Sequence, residues 1–247
     1  NVLGEINTAL SKNGLLNKTL LIFTSDNGCS KAADIKSLAE KGHMVSGKLR
    51  GSKADLWDGG HRLPFIVRWP GEVSPGTVCD QLICHTDLFA SLADITQRPL
   101  PPAAAQDSVS FLPALQGNEI ESTRNGVIHH SFSGHFAYRS GRWKLLLAKG
   151  SGGWSSPKEG EMPKTAAKVQ LYDMTADLGE QTNLHEQHPE VVQNLLAQLK
   201  TDVERGRSTS GPKATNDIEQ INLWKTESKN VSRPKSKSRS QSQNNTK

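Results

Sequence analysis

The chain has 247 residues, of which 34% are hydrophobic and 5% aromatic, with a formal net charge of +5. This length supports one large core or two smaller ones. No apolar run approaches the ~18 residues that cross a bilayer, and Cys29, Cys79 and Cys84, which form no C-x-x-C pair or zinc spacing, rule out a full disulfide framework and leave room for one bridge.

The chain opens at Asn1 without a basic start and apolar signal core. Val2, Leu3, Ile6 and Leu10 recur at helical spacing and Gly14 is a helix stop, so residues 1–16 predict a helix packed on something upstream. Residues 19–24, Thr-Leu-Leu-Ile-Phe-Thr, read as a strand buried on both faces, as in a parallel sheet under helices. Ser25-Asp26-Asn27-Gly28 follows at the carboxyl end of that strand, where open α/β sheets place their ligands. Residues 29–63, punctuated by Gly42, Gly47, Gly51, Gly59 and Gly60, read as a long loop, of a kind that is functional or disordered. Pro64 and Pro70 bracket a second strand. Residues 87–95 predict a helix capped by Thr86 or Asp87, with Leu88, Leu92 and Ile95 on one face, ended by Pro99-Leu100-Pro101-Pro102.

The pattern changes near residue 125. Residues 126–132, 136–139, 143–148 and 169–173 are strand-like, and Ser140-Gly141 makes a hairpin turn. Residues 149–168 read as an excursion between strands. Pro189 opens an amphipathic helix with Val192, Leu195, Leu196, Leu199 and Val203 on one stripe. Antiparallel strands plus a helix predict a small α+β unit on the α/β part, with boundaries at 1–124 and 125–210. The basic charge is local: from Lys225 onward seven basic residues accompany one acid, Glu227, so that stretch carries +6 and residues 1–224 carry −1. Residues 211–247, rich in Ser, Asn, Gln and Lys, read as a disordered, solvated tail. The Ser-Arg/Lys alternation at 233–240 suits a polyanion as a lesser alternative, so nucleic acid is not the expected partner.

Chemistry concentrates between Asp26 and Arg62. Asp26 and Asn27 offer a carboxylate and an amide oxygen, hard ligands suited to calcium or magnesium, although Asp-Asn-Gly is also good turn chemistry. Lys53, in Gly51-Ser52-Lys53, presents a compact ammonium suited to a tetrahedral oxyanion, or to plain solvation; the surrounding glycines do not have the spacing of a nucleotide-binding loop. His61 can face the same pocket, and Arg62 suits a structural carboxylate partner. His129, His130 and His135 cluster where the second unit reaches the pocket rim, and His130 is a candidate substrate contact. His43 lies in the loop without a defined role, and Trp154, in Ser-Gly-Gly-Trp, is a lesser candidate for stacking on a sugar.

Taken in order, T-S-D-N-G after a buried strand, L-R-G-S-K, and W-D-G-G-H-R-L-P-F-I-V-R-W-P-G resemble the sulfatases of the alkaline phosphatase superfamily. Asp80–Ile83 and Thr86-Asp87-Leu88 look like the next strand and helix of that family, Gly141–Leu145 like its late hairpin, and Leu171-Tyr172-Asp173 with residues 177–184 like its closing segment. The resemblance spans residues 1–205 and implies part of an alkaline-phosphatase-like sandwich with a smaller C-terminal subdomain. It implies sulfate-ester hydrolysis, of sulfated small molecules or polysaccharides, by a formylglycine made from a cysteine or serine, with calcium polarising the sulfate. Asp26 and Asn27 match calcium ligands and Lys53 the sulfate-holding lysine of that family. The C-x-P/A-S-R nucleophile motif of the family is not in this sequence, since none of its cysteines has that context, so the chain alone is expected to be inactive. Relatives of this kind are exported to the periplasm, the lysosome or outside the cell. A phosphodiesterase or phosphonate hydrolase on the same fold, or a non-enzymatic polyanion binder using the tail, are the alternatives.

Overall fold

The computed structural model describes residues 2–225. Helix α1 (Val2–Lys12) leads through Gly14, at φ 67°, to strand β1 (Leu21–Phe23). The long loop is partly ordered into helices α2 (Ile35–Glu40) and α3 (Asp58–His61). Asp34 ends a preceding helical turn and caps α2, its carboxylate accepting from Ser37 N–H, a local signal that glycine punctuation had masked. Strand β2 (Ile66–Arg68) pairs antiparallel with β1, with Ile22 opposite Val67. The expectation of a strand covered on both faces in a parallel sheet is therefore corrected among the described residues: β1 and β2 form a two-stranded antiparallel pair, with Phe23 and Ile66 exposed. A continuous apolar run does not itself distinguish parallel from antiparallel partners.

Helix α4 (Asp87–Ile95) forms where predicted, but it buries Asp87, Ala90 and Ser91 while Leu92 is exposed. Polar anchoring explains this choice of face. Asp87 accepts from Cys84 N–H (2.8 Å) and Val109 N–H (2.9 Å) and forms a two-pronged ion pair with Arg124, while Ser91 Oγ accepts from Phe111 N–H. Residues 80–83 are extended but unpaired, so the strand expected there does not form among the described residues. Helix α5 (Leu112–Leu115) packs on α4. The three cysteines are free thiols.

The second unit is an antiparallel meander, β3 (Val127–His130), β4 (Phe136–Ser140), β5 (Trp143–Leu146) and β6 (Gln170–Asp173), in that spatial order. Cross-strand partners share a face. One face carries Tyr138, Leu145 and Leu171 onto Leu195 and Leu199 of helix α6 (Pro189–Arg205). The other carries Ala137, Leu146 and Tyr172 onto Leu56 and Trp57, in the loop just before α3. The sheet is thus the floor on which the Lys53 loop rests. Residues 211–225, the start of the expected tail, are irregular and mostly exposed, with a few anchors: Ala214 N–H donates to Arg205 O, and Leu223 and Trp224 lie against the α6 side of the core. The charged stretch at 226–247 lies outside the described residues. The fold is α/β with a smaller antiparallel sheet-plus-helix unit, and none of its helices is long and apolar enough to cross a membrane among the described residues.

Candidate active site

Three backbones cross beyond the carboxyl end of β1. Gly28 N–H donates to Gly60 O (3.0 Å), Lys53 N–H to Cys29 O (3.0 Å), and Gly59 N–H to Arg50 O (2.7 Å). A Cβ on Gly28 would sit 1.9 Å from Gly59 O, and one on Gly59 would sit 2.2 Å from Gly51 O. The crossing requires residues without side chains at both positions. The turn carrying Asp26 and Asn27 and the loop carrying Lys53 are consequently one hydrogen-bonded unit.

Asp26 is exposed and Asn27 half-buried. Asn27 Nδ2 donates to Gly28 O (3.1 Å), which commits the amide nitrogen and leaves Oδ1 for a ligand; Ser25 Oγ donates to the Asn27 carbonyl (2.9 Å). A carboxylate and an amide oxygen at one strand end fit a hard cation in kind. They do not complete a site, because calcium takes roughly six to eight oxygens and no cluster of three or more His, Cys, Asp or Glu suited to a metal occurs among the described residues.

The loop around Lys53 is held by Asp55, which sequence reasoning passed over. Its fully buried carboxylate accepts from Ser52 N–H (2.8 Å) through Oδ2, and from Trp154 N–H (2.8 Å) and Ser155 N–H (2.9 Å) through Oδ1. Between Lys53 and Asp55, Ala54 takes φ 84°, where a side chain costs on the order of 1–3 kcal/mol. Its carbonyl accepts from Phe132 N–H (3.0 Å). Bonds to residues on either side thus fix the strained turn that presents Lys53.

Beneath this loop lies a buried charge cluster that was also missed. Lys144, fully buried on β5, pairs with Asp58 Oδ1 (2.6 Å) and Glu180 Oε1 (2.8 Å), and Arg139 lies 4.0 Å from Asp58 Oδ2. Glu180 Oε2 also accepts from Asp58 N–H, the first turn of α3. Burial works to raise the Asp58 carboxyl, but the charge and hydrogen bond of Lys144, with Arg139, hold it below the usual carboxylate range. Burial prevails at Glu180, whose carboxyl is raised despite the same lysine. Asp58 is visible in the W-D-G-G motif; a lysine inside W-K-L-L gives no sign that it is wholly buried. The carboxylate partner expected for Arg62 is not found among the described residues: Arg62 is exposed and forms no ion pair, and the nearby Asp58 is engaged by Lys144.

Among the histidines, strand alternation decides. His129 pairs across to Ala137 and His130 to Phe136, so the two face opposite sides of the sheet. His129 faces the site loop: Nε2 is 3.3 Å from Leu56 O and its ring centroid is 4.3 Å from that of His61. His130 packs edge-on against Phe136 on the helix side, away from the Lys53 loop. Of the histidines expected at the pocket rim, His129 therefore faces the Lys53 loop, and His130, the candidate substrate contact, faces the helix side. Burial, then the charge of Lys144, lowers His61 to about 4. Burial and the neighbouring His61 lower His129 well below the usual value as well, so both rings are neutral near pH 7. His135 Nδ1 lies 3.2 Å from Leu147 O, and His43 is exposed after α2.

Comparison with known proteins places this arrangement. The sulfatase family profile matches residues 1–97, and the profile described as N-sulphoglucosamine sulphohydrolase, C-terminal, matches residues 52–152. An N-acetylgalactosamine-6-O-sulfatase of Bacteroides thetaiotaomicron is 36% identical over 81% of this chain and 39% of its own length. The steryl-sulfatase of Mus musculus is 34% identical over 51% of this chain and 20% of its own length. A solved structure from work on the metabolism of multiple glycosaminoglycans by Bacteroides thetaiotaomicron superposes with a TM-score of 0.66 at 34% identity, covering 80% of this chain and 41% of that one. The chain therefore spans well under half the length of the relatives it matches. With two overlapping sulfatase profiles, a relative and a solved structure in agreement over most of its length, the chain belongs to the sulfatase family.

Proposed function

We propose that these residues form the sulfate-holding side of a calcium-dependent active site that hydrolyses sulfate esters of sugars. The observation that carries this is the pair of main-chain bonds, Gly28 to Gly60 and Lys53 to Cys29, that joins the Asp26–Asn27 turn to the Lys53 loop. In this reading Lys53 donates to the sulfate oxygens and steadies charge on the departing oxygen. Asp26 and Asn27 Oδ1 hold the cation, which when bound supplies positive charge toward those oxygens. Asp55 keeps the Lys53 turn in place, and the neutral His61–His129 pair lines its base without adding a competing cation. The nucleophile is not assigned to any residue here, because Cys29, Cys79 and Cys84 lack the C-x-P/A-S-R context. A sugar is favoured because a relative similar over most of this chain is named for N-acetylgalactosamine 6-O-sulfate, whereas the steryl-sulfatase likeness covers about half of it.

The test is sulfate release from N-acetylgalactosamine 6-O-sulfate by the protein expressed from its whole reading frame. Release that is lost on calcium chelation and in Lys53→Ala and Asp26→Ala supports the proposal. Hydrolysis of phosphate diesters with no sulfate release would overturn it in favour of phosphoryl chemistry on the same fold.

A further inference from the structure

Phe132 is 73% exposed, more than Phe23 or Phe89. Its ring centroid lies 5.1 Å from that of Trp154, at an interplanar angle of 56°. The two rings come from different segments, Phe132 from the turn after β3 and Trp154 from the excursion after β5. Both segments are bonded to the loop that presents Lys53. Phe132 N–H donates to Ala54 O (3.0 Å), Trp154 N–H to Asp55 Oδ1 (2.8 Å), and Ser155 Oγ lies 3.2 Å from Ser52 Oγ. Trp154 O also accepts from Lys31 Nζ, on the segment that continues from Asp26–Asn27. The aromatic pair is thereby fixed to residues 52, 54 and 55, on both sides of Lys53, and to the cation-side turn.

We propose that Phe132 and Trp154 are a specificity platform that receives the pyranose ring bearing the sulfate. This rests on the role given above to Lys53. One ligand satisfies both features: the sulfate meets the ammonium, and the C–H face of the attached ring meets the aromatic surface. At this tilt one ring can take the C–H face of a pyranose while the other meets its edge. A fused steroid would need a longer apolar surface, and the flanking residues, Lys31, Ser155 and Ser156, are polar.

The test uses the protein from its whole reading frame and compares Phe132→Ala, Trp154→Ala and Trp154→Phe. Steady-state hydrolysis of N-acetylgalactosamine 6-O-sulfate is measured alongside inhibition by inorganic sulfate, which has no ring. The proposal expects KM for the sugar to rise about tenfold in each alanine variant, Trp154→Phe to recover most of the loss, and the inhibition constant of sulfate to stay within a factor of two. Turnover with unchanged KM in both alanine variants would overturn the platform while leaving the role of Lys53 intact. A rise in KM matched by an equal loss of sulfate inhibition would also overturn it, since that marks a displaced Lys53 loop. Alanine variants that impair a steryl sulfate but spare the sugar would reassign the rings to an apolar aglycone and overturn the pyranose. Absence of both turnover and sulfate inhibition in the unsubstituted protein would instead sink the reading of Lys53, and this proposal with it.

Discussion

Lys53 and Asp55 are two residues apart and act in different ways. Lys53 is half-buried and is given the sulfate in the proposed reading, whereas Asp55 directs its carboxylate into backbone N–H groups and never reaches solvent. Replacing Lys53 with alanine in the protein from its whole reading frame is expected to lower kcat/KM by roughly 10²–10³, the range for removing one donor to a developing anion, without changing the urea midpoint. Lys144 behaves differently. Lys144→Met leaves Asp58 and Glu180 buried without their cation, and should cost about 3–5 kcal/mol in urea unfolding. The histidines set a pH dependence. His61 is lowered to about 4 in the fold and returns to its ordinary value of 6.5 when unfolded, so between these values the unfolded chain binds the extra proton. Its contribution is therefore complete above about pH 6.5 and disappears as pH falls toward 4, and His129 acts in the same direction. Thermal midpoints should drop over that window, and His61→Asn should flatten the drop.

At the level of elements, periodicity and punctuation made most of the chain legible. Residues 1–16, 87–95 and 189–205, and the four strands after 125, announce themselves by apolar spacing and turn residues; pattern and burial agree in the strands and in α6, whereas α1 and α4 form where expected without burying their apolar stripe. For the candidate site, chemistry and motif coincide in the sequence at Asp26, Asn27 and Lys53, whose loops the fold joins by main-chain bonds. What escaped was what only long-range packing creates. Asp55 looks like any loop carboxylate until residues 154 and 155 are brought to it, and nothing local says which of two adjacent histidines faces the loop. For helix α4 the apolar stripe misled, because a buried ion pair to Arg124, 37 positions away, set the inward face. An element-level consequence is that Asp55→Ala strands buried N–H groups in both the Lys53 loop and the 151–155 segment. It should cost about 3 kcal/mol and speed amide exchange in both segments together, measurable residue by residue.

Over the whole molecule, order is unevenly distributed. The four-stranded sheet has a core on each face, whereas β1 and β2 make a two-stranded pair with exposed apolar residues and α1 buries none of its own. Isolated two-stranded pairs are marginal in water. Native-state hydrogen exchange should therefore show β1 and β2 amides opening at lower free energy than those of β4 and β5. This places the Asp26–Asn27 turn on the softer part of the molecule and Lys53 on the harder part, with Gly28 and Cys29 as the seam between them.

The main chain at Trp154 is held at both ends: its amide by Asp55, its carbonyl by Lys31. Nothing in that grip depends on which side chain residue 154 carries. The position therefore works as an interchangeable bit in a fixed chuck, where descendants of one ancestor can swap preferences for what surrounds the sulfate while the anion-gripping apparatus stays untouched.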